Sequence, residues 1–104
     1  MAEMKEYVLK PTNGKPDVRF TGVLEASVSS QRNGSTQWTV LNAYLTKAGK
    51  WVIESIGDTS LDYLERRVSV YVFEYTEDMT AKIGFGRLAA KLYRELGIDE
   101  ISVD

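Results

Sequence analysis

The sequence predicts a single α+β domain in which an antiparallel meander of about five strands is followed by a C-terminal helix. Three observations lead to this prediction. Apolar and polar residues alternate in successive stretches as far as Tyr75, and turn-forming residues separate those stretches. After Tyr75 the apolar spacing changes to that of a helix. A chain of 104 residues supports one hydrophobic core, so residues 1–104 are expected to form one domain.

The five predicted strands are separated by turns and one longer loop. Alternation is clearest between Val18 and Ser29, where Gly22 interrupts the apolar face and indicates a bulge or a close backbone approach. Asn33-Gly34 is typical of a hairpin turn, and Gly57–Leu64 is predicted to be a loop or a short helical turn. The strands are predicted at Glu6–Lys10, Val18–Ser29, Gln37–Thr46, Trp51–Ile56 and Arg66–Tyr75.

The C-terminal helix is predicted to begin at Thr76 and to end at Gly97, a residue type that often follows a helix. Two glycines surround Phe85 in its middle, and each costs about 1 kcal/mol in a helix interior. The sequence therefore predicts either a kink at Gly84–Gly86 or two short helices that meet there. The helix is expected to cover one face of the sheet and to leave the other partly open for binding.

Composition excludes several kinds of catalytic and metal site. The chain has no cysteine and no histidine, which excludes Ser-His-Asp, Cys-His and histidine–metal chemistry. Glu54 and Asp58 are the carboxylates best placed to approach each other, and no ordered calcium loop is present. We expect a protein that is not an enzyme and that uses no cofactor or metal.

Charge and hydropathy indicate a cytoplasmic protein without a strong attraction for nucleic acid. The formal net charge is −2, so no overall positive field is expected. No stretch approaches the roughly 20 apolar residues of a membrane span, and the N-terminus lacks the apolar core of a signal peptide.

Aromatic and charged residues supply the candidate binding positions. Trp38 and Trp51 lie on neighbouring strands and are expected to face each other or the helix, with burial favoured over exposure. Arg66 and Arg67, with Lys47 and Lys50, are candidates for a small basic patch beside tyrosines suited to base stacking. The interspersed glutamates favour an ordinary solvated surface over such a patch. The acidic stretch 95–104 offers a second surface. The candidate partner-binding residues are Trp38, Trp51, Tyr63, Arg66, Arg67, Tyr71, Glu100 and Asp104.

Gly84-Phe85-Gly86 only partly matches a phosphate-binding loop. No Lys-Ser or Lys-Thr pair follows it, and it does not directly follow a strand. We favour a close contact between helix and sheet that Cβ atoms would block.

The hairpin from Ala43 to Gly57 resembles a segment found in small uncharacterised proteins of phages and plasmids. The resemblance covers one hairpin and specifies no activity. It implies an origin in a mobile element and assigns no functional residue.

Three functional hypotheses follow. The first is a non-enzymatic protein–protein interaction module, for example a phage- or plasmid-encoded inhibitor of a host nucleic-acid-handling system such as an anti-CRISPR. The second is a small nucleic-acid-binding domain that uses the basic and aromatic patch. The third is a binder of a small ligand between sheet and helix. Homodimerisation is compatible with all three.

Overall fold

The computed structural model describes residues 3–98 and confirms the α+β class, with five antiparallel strands followed by two helices. Glu100 and Asp104 lie outside the described residues. The strands are β1 (Lys5–Leu9), β2 (Val18–Ser29), β3 (Gln37–Thr46), β4 (Trp51–Thr59) and β5 (Arg67–Phe73), and they form a meander in the order β1-β2-β3-β4-β5. The helices are α1 (Thr76–Ile83) and α2 (Arg87–Leu96).

Strand β4 extends beyond its predicted end at Ile56. Gly57, Asp58 and Thr59 continue the ladder with β3, and Gly57 also pairs with Arg67 of β5. The predicted loop therefore begins three residues later, because cross-strand hydrogen bonds on both sides stabilise an extended glycine that local preference alone disfavours.

The face of the sheet that the helices cover, here called the outer face, carries the larger core. The opposite face is called the inner face. Helix α2 packs against β2 and β3, and Met79 of α1 and Leu92 of α2 are fully buried on this face beside Ile53. The alternative of two short helices is the correct one, since α1 ends at Ile83 and α2 begins at Arg87. Gly97 ends α2 in the left-handed conformation, as predicted.

The inner face is partly closed because the sheet curls, although Val72 and Leu24 on this face stay exposed. The Thr12 N–H donates to the Val68 carbonyl at 2.9 Å, and the Val68 N–H donates to Thr12 Oγ1 at 2.9 Å. These bonds join the β1–β2 connection to β5, at the far edge of the meander. The curl encloses a second core whose buried members are Leu9, Tyr44 and Val52.

Three aromatic rings fill the curl. The ring centroids of Tyr7, Phe20 and Tyr44 lie 4.8 to 5.4 Å from one another, which are favourable stacked and tilted geometries.

No helix among residues 3–98 has the length and apolar character needed to cross a membrane.

Two buried tyrosines make stability depend on alkaline pH. Burial, reinforced by the nearby Glu54 carboxylate, raises the pKa of Tyr44, and burial raises the pKa of Tyr93. The ordinary value is 10.0, so above pH 10 the unfolded chain releases protons that the folded chain retains. This contribution to stability is complete below pH 10 and is lost as the pH rises toward the raised folded values.

We therefore expect some of the six tyrosines to resist ionisation in the folded protein. Absorbance at the tyrosinate band during an alkaline titration should show a group of tyrosines that titrates only with unfolding. In urea, all should titrate together near their ordinary pKa. Substituting Tyr44→Phe and Tyr93→Phe should remove the late group, and a single early transition in the native wild type would contradict the prediction.

Candidate nucleic-acid interface

The candidate site lies at the end of the sheet opposite the β3–β4 hairpin. On the outer face, cross-strand pairing aligns Thr39 with Gly57, and Ser55 with Ser69. Alternation places all four on one face, where they form a surface of small side chains that we call the polar floor. It spans three strands, which corresponds to a width of about 10 Å.

A cavity of about 970 Å³, here called the end cavity, adjoins the polar floor. Four of the predicted binding residues line it: Trp38, Tyr63, Arg66 and Arg67. Tyr63 is 79% exposed, so its ring is accessible to a ligand. Trp38 is half-buried and is neither the core residue that was favoured nor a fully exposed anchor.

Hydrogen bonds hold the loop that carries Tyr63 and Arg66. Thr59 Oγ1 donates to the Thr36 carbonyl at 2.8 Å, and the Ser60 N–H donates to the same oxygen at 3.1 Å. The Leu61 N–H donates to Thr59 Oγ1 at 3.0 Å. The start of the loop is therefore fixed to the end of the β2–β3 connection, which places its side chains over the sheet end.

A second cavity of about 550 Å³, the junction cavity, lies between the sheet and the connection of the two helices. Arg32, Lys82 and Arg87 line it together with Tyr71, and no carboxylate among residues 3–98 lines it. Lys82 Nζ lies 5.6 Å from the centroid of the Tyr71 ring, within cation–π range.

The two cavities share part of their wall, and together they are called the groove here. Ser30 and Thr39 line both of them. The Ser30 N–H donates to the Thr39 carbonyl at 2.9 Å, and the Thr39 N–H donates to Ser30 Oγ at 2.8 Å. Ser30 and Thr39 therefore connect the walls of the two cavities.

The groove is basic in a protein that is acidic overall. The described residues 3–98 contribute five cations and two carboxylates to it, a formal charge of +3, whereas the whole chain carries −2. The ion pairs Arg19–Glu6 and Lys50–Glu74 lie outside it. Within residues 3–98, none of the five groove cations has a carboxylate at ion-pair distance; they are Arg32, Arg66, Arg67, Lys82 and Arg87.

The candidate patch of Arg66 and Arg67 with Lys47 and Lys50 does not form. Pairing aligns Gly57 with Arg67 and Trp51 with Phe73, so the arginines and the hairpin lysines lie at opposite ends of β4. Six strand residues separate these ends by about 20 Å. The arginines are joined instead by Arg32, Lys82 and Arg87, which the sequence analysis missed.

The two tryptophans do not face each other. Trp38 pairs with Asp58 and Trp51 with Leu45, at opposite ends of the β3–β4 ladder and on opposite faces. Trp51 packs against the outer core and is half-buried, so the expectation that it faces the helix side is confirmed. It contributes nothing to the groove.

The missed cations carry no local pattern that marks them as a group. Arg32 belongs to the β2–β3 hairpin loop, whereas Lys82 and Arg87 surround the glycines of the helix junction. The packing of α2 along β2 and β3, and of α1 against β5, brings the two segments together. Gly84 and Gly86 were a weak local signal of a binding site, but the sequence favoured helix–sheet packing as their explanation.

That packing explanation for Gly84 and Gly86 is wrong. A Cβ atom built on either glycine meets no atom within 4 Å. Gly84 has φ +88°, a conformation that other residues rarely adopt, so backbone geometry accounts for it. Gly86 has φ −63° and no steric requirement from the protein.

Glu54 belongs to a polar cluster on the inner face and not to a carboxylate pair. Asn42 Nδ2 donates to Glu54 Oε1 at 2.9 Å, and the Tyr44 hydroxyl donates to the same atom at 3.3 Å. Asp58 lies four residues along the same strand, about 13 Å away. Residues 3–98 contain no cluster of three or more potential metal-ligating carboxylates.

Comparison with known proteins returned no match to a protein family, to a curated protein or to a solved structure.

Proposed function

We propose that this protein is a non-enzymatic binding module that holds single-stranded nucleic acid in the groove formed by the end cavity and the junction cavity. One observation carries the proposal: among residues 3–98, five cations and three aromatic residues, against two carboxylates, line two adjoining cavities. Single-strand binding combines a positive groove along the backbone with aromatic rings on which bases stack. Trp38, Tyr63 and Tyr71 supply the rings, and we place the activity in the cytoplasm, where such strands occur.

The charge distribution supports a strand that lies along the groove. With +3 in the groove, the remainder of the chain carries a formal charge of −5. A polyanion is attracted to the groove and repelled elsewhere, which favours one orientation. A floor about 10 Å wide suits a single extended strand whose bases are free to reach the walls.

Salt dependence tests the proposal. Fluorescence anisotropy should show binding of a labelled single strand of about 16 nucleotides at low salt. The logarithm of the binding constant should fall with the logarithm of salt concentration with a slope of about −0.7 per neutralised phosphate, so five cations allow a slope of about −3.5 at most. Absence of binding at low salt would overturn the proposal.

Substituting Arg66→Gln should weaken binding to all sequences and reduce the magnitude of the slope by about 0.7. Lys47→Gln is the matched control, because Lys47 is an exposed cation in the β3–β4 hairpin outside the groove. An equal effect of both substitutions would indicate diffuse electrostatic attraction and would contradict a defined groove.

A protein partner is a second candidate, and a separate observation favours it. An apolar cavity of about 380 Å³ lies near the β3–β4 hairpin, lined in part by Phe20, Val52 and Val72. Val72 is 52% exposed, which suits insertion of an apolar side chain from a partner. A partner retained on the tagged protein after nuclease treatment, and released by Val72→Lys, would support this function. Inhibition of a host nucleic-acid-handling system, origin in a mobile element and homodimerisation stay predictions.

A further inference from the structure

We propose that the junction cavity is a site for a phosphate monoester, and that in the bound strand it takes the terminal phosphate. This inference rests on the proposed function for the source of the phosphate, since it identifies which part of a strand the cavity holds. The phosphate group itself is recognised by the cavity and not by the rest of the groove.

The charge of the cavity fits a dianion better than a backbone phosphate. Arg32, Lys82 and Arg87 supply three positive charges, and the part of the chain that the structure describes places no carboxylate in the lining to offset them. A phosphodiester carries one negative charge, whereas a phosphate monoester carries about 1.5 to 2 at pH 7 and has three acceptor oxygens. Arginine guanidinium groups bind such oxygens in pairs.

Each cation is held by a structured element. The Arg32 N–H donates to Ser35 Oγ at 2.9 Å, and the Ser35 N–H donates to the Arg32 carbonyl at 2.9 Å, which closes the hairpin loop. The Tyr71 ring lies beside the Lys82 ammonium. Arg87 follows a junction that is fixed where the Tyr93 hydroxyl donates to the Gly84 carbonyl at 2.5 Å. The backbone segments that carry the three cations are therefore fixed before a ligand arrives, which lowers the entropic cost of binding.

Gly86 lines the same cavity and leaves room for a ligand to approach the backbone. Its φ of −63° is accessible to every residue, and a Cβ there meets no protein atom within 4 Å. Protein packing does not require glycine at this position, but close approach of a ligand to the main chain would. Phe85, 76% exposed, precedes it and packs edge-on against the Tyr93 ring, with ring centroids 5.9 Å apart.

The test compares oligonucleotides that differ only at their ends. Anisotropy is measured with one single strand carrying a 5′-phosphate, a 3′-phosphate or hydroxyl groups at both ends. One of the phosphorylated strands should bind about tenfold more tightly than the hydroxyl form, the effect of one added charge-assisted contact. Lys82→Gln and Arg87→Gln should remove this difference, whereas Lys91→Gln, an exposed lysine of α2 outside the cavity, should preserve it. Circular dichroism checks that each variant is folded.

The outcomes separate this inference from the proposed function. Equal binding of all three strands would overturn the phosphate site and leave single-strand binding intact. If no strand binds, titration with inorganic phosphate and with a nucleoside monophosphate decides the inference alone. Amide shifts at Gly86 and Arg87 that vanish in Lys82→Gln would support a site for free phosphate monoesters while the proposed function fails. No shift with either probe would overturn both.

Discussion

Replacing Gly22 with alanine is expected to destabilise the protein by about 3 kcal/mol, at the upper end of the range for overpacking. A Cβ at this position would lie 2.4 Å from the Leu45 carbonyl oxygen and 2.9 Å from Thr46 Cα. Both atoms belong to the backbone of β3, so no side-chain rotation relieves the clash. Gly22 also pairs with Lys5 of β1, and a shift of β2 disturbs both ladders.

Gly57→Ala is the matched control, because Gly57 is also a strand glycine with neighbours on both sides. Its added Cβ meets Arg67 Cβ at 3.7 Å, an ordinary contact, so stability should be unchanged or slightly higher. Thermal and urea unfolding of both variants measure the difference, and each kcal/mol corresponds to about 4–8 °C in Tm for a domain near this size. Equal Tm values for the two variants would show that β3 moves freely to accept the methyl group.

The role of Gly22 illustrates how far local pattern reaches. A glycine on the apolar side of an alternating strand indicated a bulge or a close approach, and the structure has the close approach at Gly22 itself. The bulge lies nearby, where the register shifts between Leu24 and Ala26. The alternation of apolar and polar residues predicts which residues share a face of the strand, but it does not predict the distance to the next strand.

The strands and the helix division were predictable because both depend on short-range periodicity. The curl of the sheet was not, because the Thr12–Val68 bonds join residues 56 positions apart. Because the curl was not predicted from the sequence, the inner face was expected to be partly open. No contact was predicted among the aromatic rings of Tyr7, Phe20 and Tyr44. Long-range closure depends on the accumulated twist of five strands, which no single segment encodes.

For the same reason, only some of the residues that line the groove could be predicted from the sequence. Tyr63, Arg66 and Arg67 lie within four positions of one another, so local reasoning grouped them correctly in one cavity. Their other neighbours depend on strand register and on helix packing. Antiparallel pairing excludes the hairpin lysines, whereas helix packing on the sheet brings in Lys82 and Arg87.

Tyr63→Ala is expected to weaken single-strand binding about 5- to 150-fold, which corresponds to the 1–3 kcal/mol of one stacked base. Tyr63 suits this test because its side chain is 79% exposed and lies in a loop, so its loss should leave the two cores intact. Stacking involves no ion release, so the slope of binding against salt should stay the same while affinity falls at every salt concentration. This pattern differs from that of Arg66→Gln, which should change the slope.

Two further variants identify the cause of the loss. Tyr63→Phe keeps the ring and should bind like the wild type, whereas a role for the hydroxyl as a hydrogen-bond partner would make it as weak as alanine. Tyr75→Ala removes a tyrosine that is 63% exposed and lines neither part of the groove, so it should bind normally. If Tyr75→Ala and Tyr63→Ala weaken binding equally, the strand does not follow the groove. Because the stacking ring and the cations would then act through unrelated surfaces, the assignment of the end cavity as the base-binding part of the site would fail.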